Sequence, residues 1–329
     1  MSTSVQDLLA KPELDEESRT TKVKHFLGDY GIVVIFVVVF VWLSFNAQNF
    51  LDVDNLTNVV RQSSIIGFVA IGMTFVMITA GIDLSVGSVV GLVGVIVAIR
   101  APGAGNAVVL PVLIGLAVGA GIGFLNSAMI VWGKILPFIA TLAMLAIARS
   151  AALVIADGTV KSDLSTPFEW LGSGEWGRVP IPVVLFLVTA VIADFVLSKT
   201  KFGYHVYAVG GNEESSEKAG ISTKRVLMAV YIICGVTAAI SGIVLTARLD
   251  GAAPLAGQGY ELQAIAAVVI GGTSLFGGIG TVRGTVIGVL LIGIVLNGMN
   301  LLNISSYYQQ GVQGLILVLA VLLNRWRTD

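Results

Sequence analysis

Residues 107–131 read AVVLPVLIGLAVGAGIGFLNSAMIV, a run without one charged side chain. A helix that crosses a bilayer needs roughly 20 such residues, and the run shows none of the period-two alternation of a membrane barrel strand. Gly115, Gly119 and Gly123 recur every four residues inside it. That spacing lays small residues along one helix face, where two backbones can touch and packing replaces the missing hydrophobic drive. The stretch predicts a transmembrane helix pressed against a neighbour.

The rest of the chain is of the same kind. Of 329 residues, 56% are hydrophobic and only 12% charged, against about 25% charged in a soluble domain, and the mean hydropathy is +0.92. Lipid leaves backbone N–H and C=O groups no partner outside the protein. The fold class expected is therefore all-α, a polytopic membrane helix bundle. Spans are expected at about 30–46, 59–80, 107–131, 135–156, 180–198, 226–247, 285–302 and 308–324. Two shorter glycine-rich segments, 86–99 and 260–273, read as short spans or as broken helices buried in protein. The count is eight to ten, with ten expected.

Basic residues set the orientation. With all ten segments crossing, most of the 19 Lys and Arg residues fall on the side of the N-terminus, and only Arg61, Arg100, Lys161, Arg178 and Arg248 on the other. This is the positive-inside pattern, with both termini cytoplasmic. Residues 1–30 read as a cytoplasmic tail, 31–324 as the membrane domain and 325–329 as a short cytoplasmic tail. The two halves echo each other: a run from Ala70 ends in Gly81-Ile82-Asp83-Leu84-Ser85-Val86-Gly87, and one from Ala264 ends in Gly272-Thr273-Ser274-Leu275-Phe276-Gly277. Glycines four apart follow each, Gly87 and Gly91 in one case and Gly280, Gly284 and Gly288 in the other. Paired interruptions suggest two pseudo-repeated halves around a pathway; unrelated glycine-rich turns are the plainer account.

Several classes of chemistry are excluded. A net charge of −1 gives no reason to expect nucleic acid. The single cysteine, Cys234, sits in an apolar run and reads as a small buried side chain. His25 and His205 lack metal-ligand spacing, so no metal site is expected. No phosphate-binding Gly-x-x-x-x-Gly-Lys-[Ser/Thr] string and no nucleophile–base constellation is present. The chain reads as no enzyme and binds no cofactor of its own; uphill transport would draw on ATP hydrolysed by another chain.

Polar residues inside apolar runs are the functional candidates. Asp83 is costly at membrane depth and should cap a helix with Ser85, pair with a partner or face a cavity. Arg149, Asp194, Glu261 and Arg283 are the other charges near span interiors or ends, too few for a proton relay. The 199–225 loop is the largest cytoplasmic loop expected. In it Asn212 can cap a short helix whose first turn carries Glu213 and Glu214, and Gly220 can end it. Such a helix is a docking surface or an ordinary solvated loop.

Several longer strings resemble the ribose-type permeases of ABC importers: Gly81-Ile82-Asp83-Leu84-Ser85-Val86-Gly87-Ser88, Gly210-Gly211-Asn212-Glu213, Gly259-Tyr260-Glu261-Leu262, Gly271-Gly272-Thr273-Ser274-Leu275 and Ser305-Ser306-Tyr307-Tyr308-Gln309. The resemblance runs from about residue 50 to 324. It implies a transport subunit of the bacterial inner membrane that moves a monosaccharide by alternating access. It also implies a second permease subunit, identical or similar, a cytoplasmic ATP-binding subunit carrying ATP and Mg, and a periplasmic or lipid-anchored sugar-binding protein. On it, the 199–225 loop couples to the ATPase through Asn212, Glu213, Glu214, Lys218, Ala219 and Gly220. A path for a neutral polyol would present hydroxyl, amide and aromatic groups rather than fixed charge: Asn126, Thr141, Gln263, Thr273, Ser274 and Asn297, each equally able to hold helices together, with Asp83 and Ser85 as further pathway candidates. Permeases of the same superfamily for nucleosides, polyols or amino acids, and an ion-coupled transporter, are the alternatives.

Overall fold

The computed structural model describes residues 31–101 and 108–328; the tail expected at 1–30 lies outside the described residues. Apolar helices stand at all ten expected places. In chain order they are α1 (Gly31–Asn46), α2 (Val53–Ile78), α3 (Val86–Arg100), α4 (Val109–Val131), α5 (Pro137–Ile155), α7 (Ile181–Lys199), α10 (Thr223–Leu249), α11 (Tyr260–Ile270), α12 (Val282–Leu301) and α13 (Ser306–Thr328). Between them lie the short helices α6 (Thr166–Ser173), α8 (Lys201–Gly211) and α9 (Glu213–Lys218). Helix α13 runs through residues 325–328, where a tail was expected.

Among the described residues six helices are long and apolar enough to cross a membrane: α2, α4, α5, α7, α10 and α12. Helix α3 has 15 residues and α11 has 11. At 1.5 Å per residue they reach about 22 and 16 Å, short of a hydrocarbon core of about 30 Å. Each is preceded by non-helical chain, the 79–85 leg before α3 and the 250–259 strap before α11.

Caps, rather than hydropathy, fix several boundaries. Expected starts at 59 and 285 move back to Val53 and Val282. Asp52 caps α2, and the Thr281 hydroxyl accepts from the Gly284 amide at 3.0 Å to open α12. The extra turns carry Asp54 and Arg283, charges that end a hydropathy window without ending a helix. Pro137 opens α5 at a position where its missing N–H costs nothing. Asp250, in the left-handed region with φ 48°, closes α10.

Helix α10 is the spine of the bundle and packs along α4, α2 and α3. Its contact with α4 uses the predicted glycine face. A methyl group added at Gly119 would strike the Gly235 carbonyl, and one at Gly123 the Tyr231 carbonyl. Gly115 instead faces Val97 and Ile243, at 2.8 and 3.1 Å from a built Cβ. The second predicted ribbon holds in part. Gly284 and Gly288 sit on α12 against the Gly271 and Ala267 carbonyls of the α11 end. Gly280 precedes the helix and packs on Thr273 and Ile78.

The 157–180 segment is not purely irregular. Strand β1 (Lys161–Ser162) pairs antiparallel with β4 (Gly251–Ala252), and β2 (Glu175–Trp176) with β3 (Val179–Pro180). Helix α6 lies across the end of α10, with Phe168 buried and Gly172 against the Arg248 backbone. Arg61 reaches Glu175 at 2.9 Å, while Trp170 and Trp176 stay exposed.

Because Gly119 touches backbone, not a yielding side chain, Gly119→Ala should cost about 1–3 kcal/mol of stability. Gly121, two residues on, has open space around a built Cβ, and Gly121→Ala should match the parent. Thermal midpoints of the detergent-solubilised protein, read by fluorescence-detected size exclusion, compare the two; equal midpoints would contradict the packing assignment.

Candidate functional site

Two helices and one leg bring the first group of residues together. Asp83 lies in the 79–85 leg, Asn126 on α4, and Tyr231 and Cys234 on α10; all are buried. Asp83 Oδ1 accepts from the Ser85 amide at 2.9 Å and the Ser85 hydroxyl at 2.6 Å. The Asn126 amide donates to Ser85 Oγ at 2.9 Å and approaches Asp83 Oδ2 at 3.3 Å. The Cys234 thiol lies beside the carboxylate. The expected side-chain cap by Ser85 is absent: its hydroxyl is spent on Asp83, and no side-chain cap bond reaches α3. The aspartate braces the leg as it turns into the helix. Asn126 Oδ1 and the Tyr231 hydroxyl find no hydrogen-bond partner among the described residues.

Thr141 on α5 closes the same corner, donating to Pro137 O at 2.9 Å with Ile82 O at 3.2 Å. The other predicted residues stand elsewhere. Asn297 on α12 exchanges two side-chain hydrogen bonds with Asn55 on α2, at 2.7 and 3.1 Å. Gln263 on α11 donates to Gln313 on α13 at 3.2 Å, beside a small cleft lined by Ala266, Ile292, Leu296 and Ile316. Ser274 shapes the turn before α12: its hydroxyl accepts from the Phe276 amide at 3.1 Å and its amide donates to Ile279 O at 2.9 Å. Thr273 is buried next to it. No hydrogen bond among the described residues joins Asn297, Gln263 and Ser274 to one another.

The 199–225 segment folds as two short helices. Asn212 Oδ1 accepts from the Ser215 amide at 2.7 Å and opens α9. Glu213 and Glu214 occupy its first turn, Glu214 pairs with Lys218 at 2.7 Å, and Ala219 is the C-cap. Gly220 follows with φ +86°, the left-handed turn that glycine takes at least cost. All six predicted residues face solvent. Helix α8 faces the bundle instead. A methyl group at Gly210 would run into the Ile78 carbonyl at the end of α2, and the Gly278 amide donates to that same carbonyl at 2.9 Å. The Tyr207 hydroxyl donates to Gly280 O at 2.7 Å. Burial and the nearby Asp194 carboxylate both raise the Tyr207 pKa, so the phenol stays protonated to donate. Helix α8 thus touches both non-helical turns, one after α2 and one before α12.

Sequence reasoning missed Tyr207, Tyr231 and the destination of Arg149. Arg149 Nη1 donates to Pro254 O at 2.6 Å and Ala256 O at 3.0 Å, holding the strap ahead of α11. The available signal was its isolation, a lone cation in an apolar helix. Asp194 and Arg283 pair with each other at 3.0 Å, linking α7 to α12.

The family model described as "Branched-chain amino acid transport system / permease component" matches residues 55–321. The chain is 43% identical to the ribose import permease protein RbsC of Bacillus subtilis over 306 residues, 92% of each chain. It is 37% identical to the D-allose transport system permease protein AlsC of Escherichia coli, covering 91% of this chain and 92% of that one. To the L-arabinose transport system permease protein AraH of Escherichia coli it is 37% identical, covering 91% and 90%. No solved structure matches the chain. The chain belongs to the family described as branched-chain amino acid transport system / permease component, and the ribose-type permease resemblance drawn from its motifs holds along nearly its whole length.

Proposed function

We propose that the chain is the membrane-spanning permease subunit of an ATP-driven importer for a monosaccharide of the ribose kind. The observation that carries this reading is the similarity, over more than nine tenths of the chain, to permeases named for ribose, allose and arabinose. Ten segments cross, with α3 and α11 as partial helices completed by their legs, and both termini are cytoplasmic. The two interrupted regions, α2–leg–α3 and α11–turn–α12, belong to pseudo-repeated halves. A second permease subunit, a cytoplasmic ATPase that holds ATP and Mg, and a sugar-binding protein complete the machine. Asp83, Ser85, Asn126, Gln263, Thr273, Ser274 and Asn297 are the pathway candidates. An amino acid as solute, which the family description names, is the competing reading.

The contacts of α8 supply a route for coupling. Glu213, Glu214 and Lys218 present charge to a cytoplasmic partner, and α8 continues from them onto Ile78, Gly278 and Gly280. A push on α9 moves both turns at once. Alternating access then follows as rocking of the two halves about these turns, without any group on this chain handling phosphate.

Two outcomes test the reading. In cells with the intact transporter, Glu213→Lys with Glu214→Lys should lower labelled D-ribose uptake by roughly tenfold, the scale of a coupling contact, while the chain accumulates normally in the membrane. Normal uptake would remove the coupling assignment. Gly210→Ala should leave α9 and its ion pair intact, yet force α8 off Ile78. Its uptake should fall likewise, whereas an ATPase rate still stimulated by loaded binding protein together with full uptake would show that the route lies elsewhere. Uptake that persists without ATP and collapses with an ion gradient would overturn the importer reading as a whole.

A further inference from the structure

Two charged groups in the membrane part are left with unused capacity. Arg149 lies about 9 Å short of the end of α5, and Glu261 in the first turn of α11. Both rest on the same face of α3. A methyl group at Gly91 would sit 2.9 Å from Arg149 Nη1, and one at Gly87 would strike Glu261 Oε2. Gly87 and Gly91 are one turn apart, so the two charged ends sit on the order of 6 Å from each other along the helix. They feel each other's charge but make no ion pair, the three among the described residues being elsewhere.

Their hydrogen bonds are accounted for as follows. Arg149 spends Nη1 on Pro254 O and Ala256 O. Glu261 Oε1 accepts from the Gly259 amide at 3.3 Å. The Glu261 carboxylate also takes its own backbone amide, and no hydrogen bond among the described residues uses Arg149 Nη2. Asp83 offers the contrast: it is buried, and both its oxygens are occupied. Arg149 and Glu261 are only half-buried. A charge at membrane depth is enclosed by protein or faces water, since lipid contact costs several kcal/mol. Both are part-exposed on the chain by itself.

We propose that Arg149 and Glu261 line an aqueous path and form a hydroxyl-binding step on its wall, taking a neutral monosaccharide in passage. Glu261 Oε2 accepts from a sugar hydroxyl, Arg149 Nη2 donates to a hydroxyl or ring oxygen, and both bonds are charge-assisted. The opposite charges sum to zero, so the step carries no net charge toward a neutral solute. The assignment rests on the importer reading, and deepens it by naming a contact for the solute.

The test is direct binding of D-ribose and its mono-deoxy derivatives to the purified full-length chain in nanodiscs, by saturation-transfer NMR. ATP-dependent uptake in cells is measured in parallel. Glu261→Gln keeps the acceptor for Gly259 and removes the charge; Arg149→Lys keeps a donor for the strap and removes the fork. Each should weaken D-ribose binding about tenfold at an unchanged thermal midpoint. For one deoxy sugar the Glu261→Gln penalty should vanish, because the hydroxyl that Glu261 holds is gone, a cancellation that a merely structural role would not produce. Should one variant fail to fold, the other carries the test. Parent-like binding by both variants, an equal penalty for every deoxy sugar, or no saturable binding by the parent overturns the site. Loss of ATP-dependent uptake by the parent would instead strike the importer reading, so the two failures are told apart.

Discussion

A backbone amide or carbonyl that leaves a helix inside lipid must find its partner within the protein, and the polar residues of this chain are arranged around that constraint. The 79–85 leg is held by Asp83 on the Ser85 amide and by Thr141 beside Ile82 O. The 250–259 strap is held by Arg149 on two carbonyls. The turn before α12 is held by Tyr207 on Gly280 O, by Ile78 O on the Gly278 amide and by its own Ser274. Five side chains from four elements thus replace hydrogen bonds that a continuous helix would have made. Without them α3 and α11 would have to extend into full spans, and the two interruptions on which the proposed movement depends would disappear.

This explains which parts were legible in the sequence. Helices are local, so ten apolar runs, the Asn212 cap and the Gly115-Gly119-Gly123 face could be read from spacing alone. The partner of a glycine face is not local: nothing near Gly119 in the chain points to Gly235 on α10. The same holds for Asn55 and Asn297, separated by more than 240 positions yet joined by two hydrogen bonds. Arg149 was visible as a lone charge, but its targets are carbonyls, and carbonyls leave no mark on a sequence. Gly280 looked helical because its spacing continues that of Gly284 and Gly288, whereas the Thr281 cap starts the helix one residue too late to include it.

Contact between α8 and the bundle is made by backbone. Gly210 meets Ile78 with no side chain between them, and Gly278 donates to the same carbonyl. Side chains at such a joint could change rotamer and absorb a displacement. Backbone packed on backbone cannot, so under the proposed coupling a displacement of α8 would reach the end of α2 and the turn before α12 together. The docking residues differ in kind: Glu213, Glu214 and Lys218 are exposed and their one ion pair is solvated, which adds little to the stability of the chain. A surface residue with no role in stability is free to serve a partner, and a buried glycine is not.

The state of the polar groups also bears on how a sugar would move. Thr74 is paired with Thr285 at 2.7 Å, Asn55 with Asn297, and Asp83 with Ser85 and Asn126. These groups are committed to the fold, and a solute could claim them only by leaving buried partners unsatisfied, at about 1–3 kcal/mol each. Few groups remain for a passing sugar, Asn126 Oδ1, the Tyr231 hydroxyl and Gln263 Oε1 among them. That scarcity favours transport: conduction needs binding firm enough to admit the solute and weak enough to release it. A wall that offered every hydroxyl a partner would hold the sugar, and a wall with none would leave its hydroxyls desolvated. One half-exposed carboxylate and guanidinium, already steadied by the strap they hold in place, lies between those limits.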